Sequence, residues 1–259
     1  VSLTDHGVAL AAAEAGAAIV RAKFGGSLAR QAKGPGDFAT EADLAAEQAI
    51  LGVLRETRPD DAVLGEETGG VIGDRTWFVD PLCGTLNYAA ETTMVAVNVA
   101  LRTGSAVTAA ASADPFTGET FWTDGHRASV RRGGEDRPAV PSAESRLVDI
   151  NLDPHPDSPE FSATALLADV EFNRLFRPRV LSTTLAVAWV GAGRRAAYLT
   201  AGDLRDSVHF AAGIAFCRAA GCVVTGIQGQ PLHTGVGGLL VAADEATHAS
   251  LLALLRRPA

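Results

Sequence analysis

The chain has 259 residues, of which 47% are hydrophobic and 20% charged, which excludes intrinsic disorder and allows one large domain or two smaller ones sharing a core. A formal net charge of −8 argues against phosphate-backbone binding and against adsorption to an anionic membrane, so neither nucleic acid nor membrane is expected as a partner. No apolar run approaches the roughly 20 residues that span a bilayer, and the three cysteines, Cys83, Cys217 and Cys222, fit a reducing cytoplasm better than a disulfide scaffold.

From the start, Val1 to Val20 is apolar but interrupted by Asp5, His6 and Glu14, and it lacks the basic opening of a secretory signal. Residues 8 to 22 carry Ala, Ile and Val at helical spacing, stopped by Gly25-Gly26. Gln31 to Gly36 reads as a polar loop. Thr40 then precedes a helix over Glu41 to Arg55, with acids in its first turn, where the helix dipole favours them. Short strands are predicted at Ala62-Val63-Leu64 and Trp77-Phe78-Val79, the second ending at Asp80-Pro81. Val95 to Leu101 and Ala106 to Ala111 are β-rich runs around a Gly-Ser turn, and a further hairpin is expected at Thr117-Gly118. Arg131 to Ser145, rich in Gly, Pro and charge, reads as a surface loop.

Val148 to Leu152 opens a second half as a strand, followed by a Pro-rich connection from His155 to Pro159. Helices are predicted over Leu166 to Phe172, Thr183 to Val190, Val208 to Ala220 and Ala246 to Leu255. Strands are predicted over Ala196 to Leu199, Cys222 to Val224 and Leu239 to Ala242. Strands interleaved with helices, with a β-meander in the first half, point to a mixed α/β or α+β layered protein, with an N-terminal half over residues 1–145 and a C-terminal half over 146–259.

Three short segments set carboxylates beside strand ends and glycines: Asp37 to Asp43, Gly65-Glu66-Glu67, and Asp80-Pro81-Leu82-Cys83-Gly84-Thr85. Strand ends are where an α/β sheet presents its chemistry. Hard carboxylate oxygens suit Mg²⁺, and a pair of such ions can grip a phosphate and acidify water. Taken singly, each segment has an ordinary explanation as a helix first turn, a solvated loop or a turn. Together, in this order, they point to chemistry.

These motifs resemble the inositol monophosphatase family of metal-dependent phosphatases. The family pattern is Asp-x-x-Thr-x-x-Asp, Gly-Glu-Glu, and Trp-x-x-Asp-Pro-x-Asp-Gly-Thr-x-Asn. Here it is matched by Asp37, Thr40 and Asp43, by Gly65-Glu66-Glu67, and by Trp77 through Asn87. Looser similarity follows at Leu181-Ser182-Thr183-Thr184 and Ala219-Ala220-Gly221. The resemblance implies a layered αβαβα sandwich, a homodimer, and Mg²⁺-dependent hydrolysis of small phosphate monoesters. It implies that Glu66, Asp80 and the Leu82 carbonyl hold one metal. Thr85, paired with Asp43, would orient and deprotonate the attacking water. The Gly84 and Thr85 N–H groups would meet the phosphate at a helix start, and Ser182 and Thr183 would meet the substrate.

Two positions depart from the pattern. The second Asp of the Asp-Pro motif is Cys83, and the late Asp aligns with His209 when the register is counted from Ala219-Ala220-Gly221. In the family these two acids, with the one matching Asp80, hold the second metal. Three readings compete: a Zn²⁺- or Mn²⁺-type site of Asp80, Cys83 and His209, a metal-free Cys–His pair, or loss of the second metal. In another register Asp206 takes the late position and only Cys83 is changed. Cys217 and Cys222 read as core residues. Arg194-Arg195 reads as a contact for an anionic substrate or as a solvated turn, and Lys33 is the nearest candidate for the family's phosphate-side Lys. The expected activity is hydrolysis of a sugar or inositol phosphate, with a non-hydrolytic family member as the rival.

Overall fold

The computed structural model describes residues 3–26, 30–34, 37–153 and 161–256, with the backbone alone for 30–34, 37 and 38. In chain order the first elements are α1 (Asp5–Lys23), β1 (Arg30–Gly34), β2 (Asp37–Thr40), α2 (Glu41–Thr57), β3 (Ala62–Gly65), β4 (Gly69–Gly70), β5 (Arg75–Cys83), α3 (Thr85–Ala89), β6 (Ala96–Thr103), β7 (Ala106–Asp114), β8 (Glu119–Thr123), β9 (Ala128–Arg132) and β10 (Glu135–Pro138). They are followed by β11 (Leu147–Ile150), α4 (Ala163–Ala168), α5 (Val170–Leu175), β12 (Arg177–Val180), α6 (Leu185–Gly191), β13 (Ala197–Thr200), α7 (Ala211–Ala220), β14 (Val223–Thr225), β15 (Leu239–Ala242) and α8 (Glu245–Leu255). The fold is α+β, and the chain forms two compact units.

The first unit takes Val1–Pro138, Thr183–Leu185 and Asp206–Phe216. Its eight-stranded sheet runs β10-β9-β8-β7-β6-β5-β3-β4, and only the β3–β5 pair is parallel. Side chains alternate across the sheet, as a period of two requires. Trp77, Val79, Val97, Val99, Leu101, Ala109 and Ala111 face one way and pack with α1 and α2 residues such as Val8, Ala12, Ala46 and Ile50. Phe78, Ala100 and Ala110 face the other way, against Ala212 and Ala215 of α7. Full burial of a side chain such as Trp77 contributes about 3 kcal/mol. At the far end of β5, Arg75 pairs with Asp5 and Asp61, while the Trp77 indole N–H donates to Asp61 at 2.8 Å.

The second unit takes Ala139–Ser182, Ala186–Arg205 and Cys217–Ala259. Its five-stranded sheet runs β12-β11-β13-β15-β14, with β11 parallel to both neighbours. Val148, Ile150, Leu199, Leu240 and Ala242 pack with Leu166, Phe172, Leu251 and Leu254 from α4, α5 and α8.

Three predicted elements are corrected. The surface loop at Arg131 to Ser145 begins as a β9–β10 hairpin, because Gly133 and Gly134 take φ values of 59° and 83°, the left-handed pair that a tight two-residue turn requires. The polar loop at Gln31 to Gly36 is in its first part strand β1, paired with β2 through backbone bonds that composition does not report. The helix at Leu166 to Phe172 is two helices, because the Asp169 side chain accepts from the Phe172 N–H at 2.8 Å and starts α5 afresh. The connection at His155 to Pro159 lies outside the described residues.

Candidate active site

Cross-strand register builds the floor of the site in the first unit. Asp80 on β5 stands opposite Asn98 on β6, which stands opposite Ser112 on β7, so all three share the α7 face one row beyond Phe78, Ala100 and Ala110. A hydrogen-bond chain follows this row. The Ser112 hydroxyl donates to Asn98 Oδ1 at 2.6 Å, and Asn98 Nδ2 donates to Asp80 Oδ2 at 3.1 Å and to Thr184 Oγ1 at 2.8 Å. Every member is buried, so satisfied bonds are the condition of their being there.

A bulge brings Cys83 to the same place. Strict alternation would send residues 80 and 83 to opposite faces, but the β5–β6 register shifts between Asp80 and Cys83. The Pro81-Leu82 step absorbs the extra residue, and the Leu82 N–H donates to Asp80 Oδ1 at 3.2 Å. His209, just ahead of α7, places Nδ1 2.9 Å from Asp80 Oδ2 and 4.0 Å from Glu66 Oε2. Ligand atoms of Asp80, Cys83 and His209 all lie within 4.8 Å of one another. Asp206 takes no part in this group: its carboxylate accepts from Arg102 Nη1 at 2.5 Å, and the guanidinium lies over the Phe78 ring. The register counted from Ala219-Ala220-Gly221 therefore matches the geometry.

Asp43 and Thr85 also meet. Asp43 belongs to the capping box of α2, where its Oδ2 accepts from the Thr40 N–H at 2.8 Å and the Thr40 hydroxyl at 2.5 Å. Its Oδ1 accepts from the Thr85 hydroxyl at 3.0 Å, and the same hydroxyl lies 3.2 Å from the Leu82 carbonyl oxygen. Glu66 follows β3, with its N–H donating to the Val79 carbonyl at 3.0 Å. The buried Glu47 holds the turn beyond it, accepting from the Glu67 N–H at 2.8 Å, the Thr68 N–H at 2.9 Å and the Thr68 hydroxyl at 2.5 Å. Gly65 makes room for that carboxylate, since a Cβ there would stand 2.4 Å from Glu47 Oε1.

Electrostatics follow from burial against pairing. Burial pushes the Asp80 carboxyl up, but the His209 charge and hydrogen bonds from His209, Glu66 and Asn98 hold it below the usual carboxylate range. Burial raises Asp43 despite the hydrogen bonds from Thr40 and Thr85. Burial pushes the Cys83 thiol well up, reinforced by the Asp80 and Glu66 carboxylates and opposed by hydrogen bonds from Thr184. His209 Nδ1 lies 2.9 Å from Asp80 Oδ2 and 4.0 Å from Glu66 Oε2, which puts the two carboxylates at one spot, and two carboxylates with the Leu82 carbonyl are hard donors that fit Mg²⁺. The set of Asp80, Cys83 and His209 does not fit Mg²⁺, because sulfur and imidazole are poor donors for it.

Gly84 adopts a left-handed conformation before α3, a helix of five residues, so any anion contact there comes from individual N–H groups and not from a long helix dipole. Thr183 is buried, and its hydroxyl accepts from the Leu185 N–H at 3.3 Å. The Ser182 hydroxyl bonds Asp153 within the second unit. Arg195 pairs with the buried Asp149 at 2.7 Å and stacks over Trp189. The side chains of Lys33 and Asp37 lie outside the described residues. Asn98 and Glu47 were not among the expected site residues, although Asn98 interrupts an apolar strand and Glu47 lies one helical turn beyond Asp43 on α2, and Thr184 entered only as part of the loosely similar Leu181-Ser182-Thr183-Thr184 segment, without a role.

The chain matches the model of the inositol monophosphatase family over residues 3–258. It belongs to that family. An inositol-1-monophosphatase of Caulobacter vibrioides is 32% identical over 235 residues, 86% of this chain and 89% of that protein. The Nus factor SuhB of Escherichia coli is 31% identical over 233 residues, 86% of this chain and 84% of that protein. Among solved structures, the extragenic suppressor protein SuhB of Bartonella henselae superposes with a TM-score of 0.85 at 26% identity, covering 97% of this chain and 98% of the other. As an inositol monophosphatase family member the chain is an enzyme of the phosphoric monoester hydrolase class, and the family is metal-dependent.

Proposed function

We propose that the chain hydrolyses a small sugar or inositol phosphate, and that Glu66, Asp80 and the Leu82 carbonyl would hold the Mg²⁺ this chemistry uses. The observation that carries this reading is the Thr85 hydroxyl, 3.0 Å from Asp43 Oδ1 and 3.2 Å from the Leu82 oxygen. It ties a buried carboxylate to the carbonyl expected to face the ion. When bound, the ion would acidify water and offset the charge that develops on the phosphate. The Thr85 oxygen takes a proton from the attacking water as its own proton passes to Asp43. Glu47 keeps the turn after β3 in place so that Glu66 stays beside Asp80. The Gly84 and Thr85 N–H groups would hold the phosphate, and Ser182 and Thr183 belong to the substrate side. A cytoplasmic homodimer acting on small molecules, without nucleic acid or membrane, completes the reading.

A non-hydrolytic binding role is the second reading, favoured by the replacement of two hard donors at Cys83 and His209. Phosphate release from a panel of sugar, inositol and nucleotide monophosphates, with Mg²⁺ or with a chelator, separates the two. Metal-dependent release is expected. No release from folded protein under any condition would overturn the hydrolase reading.

A further inference from the structure

We infer that Asp80, Cys83 and His209 bind a borderline or soft divalent ion of the Zn²⁺ class, and that this position holds Mg²⁺ poorly. The three donors come from two segments, the β5 bulge and the approach to α7, and their ligand atoms lie within 4.8 Å of one another. Donors around a tetrahedral ion with bonds of about 2.0–2.3 Å stand about 3.5 Å apart, so closure needs only a side-chain adjustment. One sulfur, one imidazole nitrogen and one carboxylate with an open position is a donor set that Zn²⁺ and Co²⁺ accept and Mg²⁺, which demands oxygen octahedra, does not.

The surroundings are those of a built site. Asp80 is oriented by Asn98 at 3.1 Å and by the Leu82 N–H at 3.2 Å, while the Asn98 amide is itself held by Thr184 Oγ1 at 2.8 Å and by the Ser112 hydroxyl at 2.6 Å. Such outer partners fix ligand geometry and tune affinity. The segment leading to His209 is tied down by Arg102, which pairs with Asp206 at 2.5 Å. The inference deepens the hydrolase reading through the shared Asp80, but its readout is independent of turnover.

The test is a Co²⁺ titration of the chelator-treated full chain, followed by absorption. A thiolate-to-cobalt charge-transfer band saturating at one equivalent is expected. The band should survive Cys217→Ser and Cys222→Ser, vanish in Cys83→Ser, and require at least the roughly 10–100-fold more Co²⁺ that loss of a metal-orienting group costs in His209→Ala. Zn²⁺ should displace the band, and a large excess of Mg²⁺ should not. Absence of the band, its persistence in Cys83→Ser, or its displacement by Mg²⁺ at equal concentration would overturn the inference. Should Cys83→Ser fail to fold, Cys83→Asp with His209→Asp restores oxygen donors and is expected to exchange the Co²⁺ band for thermal stabilisation by Mg²⁺. A band without turnover supports the metal site and removes the hydrolase reading, whereas turnover without a band does the reverse.

Discussion

One side of the site offers Glu66, Asp80 and the Leu82 carbonyl, all oxygen, and the other offers Asp80 with Cys83 and His209, one oxygen against sulfur and nitrogen. Both sides draw on the same β5 bulge, through Leu82 and Cys83, and share the Asp80 carboxylate. The scaffold is therefore common to both sides, and the difference lies in donor chemistry. On the proposed reading one scaffold serves a hard-ion position and a softer-ion position side by side, because ion choice is set by ligand type and local geometry.

The largest expected effect breaks both sides at once. Asp80→Asn removes the shared carboxylate, so phosphate release should fall by about 10³-fold, the equivalent of several kcal/mol of lost transition-state stabilisation. The Co²⁺ band should weaken with it.

Thr85→Ala separates the sides, since it removes the proton path to Asp43 and touches neither Cys83 nor His209. A loss in kcat of about 10²-fold or more is expected, with the Co²⁺ titration unchanged. The same path fixes the pH dependence. Asp43 must be ionised to accept a proton, and burial raises its pKa, so the acidic limb of kcat should lie above the ordinary aspartate range.

Glu47→Gln sharpens the comparison on the oxygen side alone. It exchanges a buried acceptor of three hydrogen bonds for a carboxamide, and a loss of about 1–3 kcal/mol in denaturant unfolding is expected, with weaker Mg²⁺ dependence of turnover.

The last prediction is a control in the second unit. Burial raises Asp149 to about 6, against the pull of Arg195 and Arg179. Its folded pKa lies above the unfolded one, so the stabilising contribution of its protonation is fully present below about pH 4 and lost as pH rises through 6. Asp149→Asn should flatten the stability–pH curve across that window by an amount on the order of 1–3 kcal/mol, read by urea unfolding at each pH. Both sides of the site should be unaffected.

Much of this was legible in the residues. Asp43, Glu66, Asp80 and Thr85 announce themselves because each carboxylate or hydroxyl sits in a short motif at a strand or helix end. Cys83 and His209 stood out as departures, but whether His209 or Asp206 reaches the site depended on where Arg102 lies, and that pairing spans 104 positions. The roles of Asn98 and Thr184 were hidden for a related reason. Their role comes from sheet register and from a contact 86 residues apart, which no local pattern encodes. The β9–β10 hairpin was hidden by its own polarity, since an exposed edge strand and a glycine turn have the composition of a loop.

The difference between the two sides is tested most directly by anomalous diffraction from crystals soaked in Zn²⁺ together with excess Mg²⁺, recorded at the zinc absorption edge. A strong anomalous peak among Asp80, Cys83 and His209, with density lacking an anomalous signal beside Glu66 and the Leu82 carbonyl, is the expected result. Equal zinc peaks on both sides, or an ion without anomalous signal between Cys83 and His209, would contradict it.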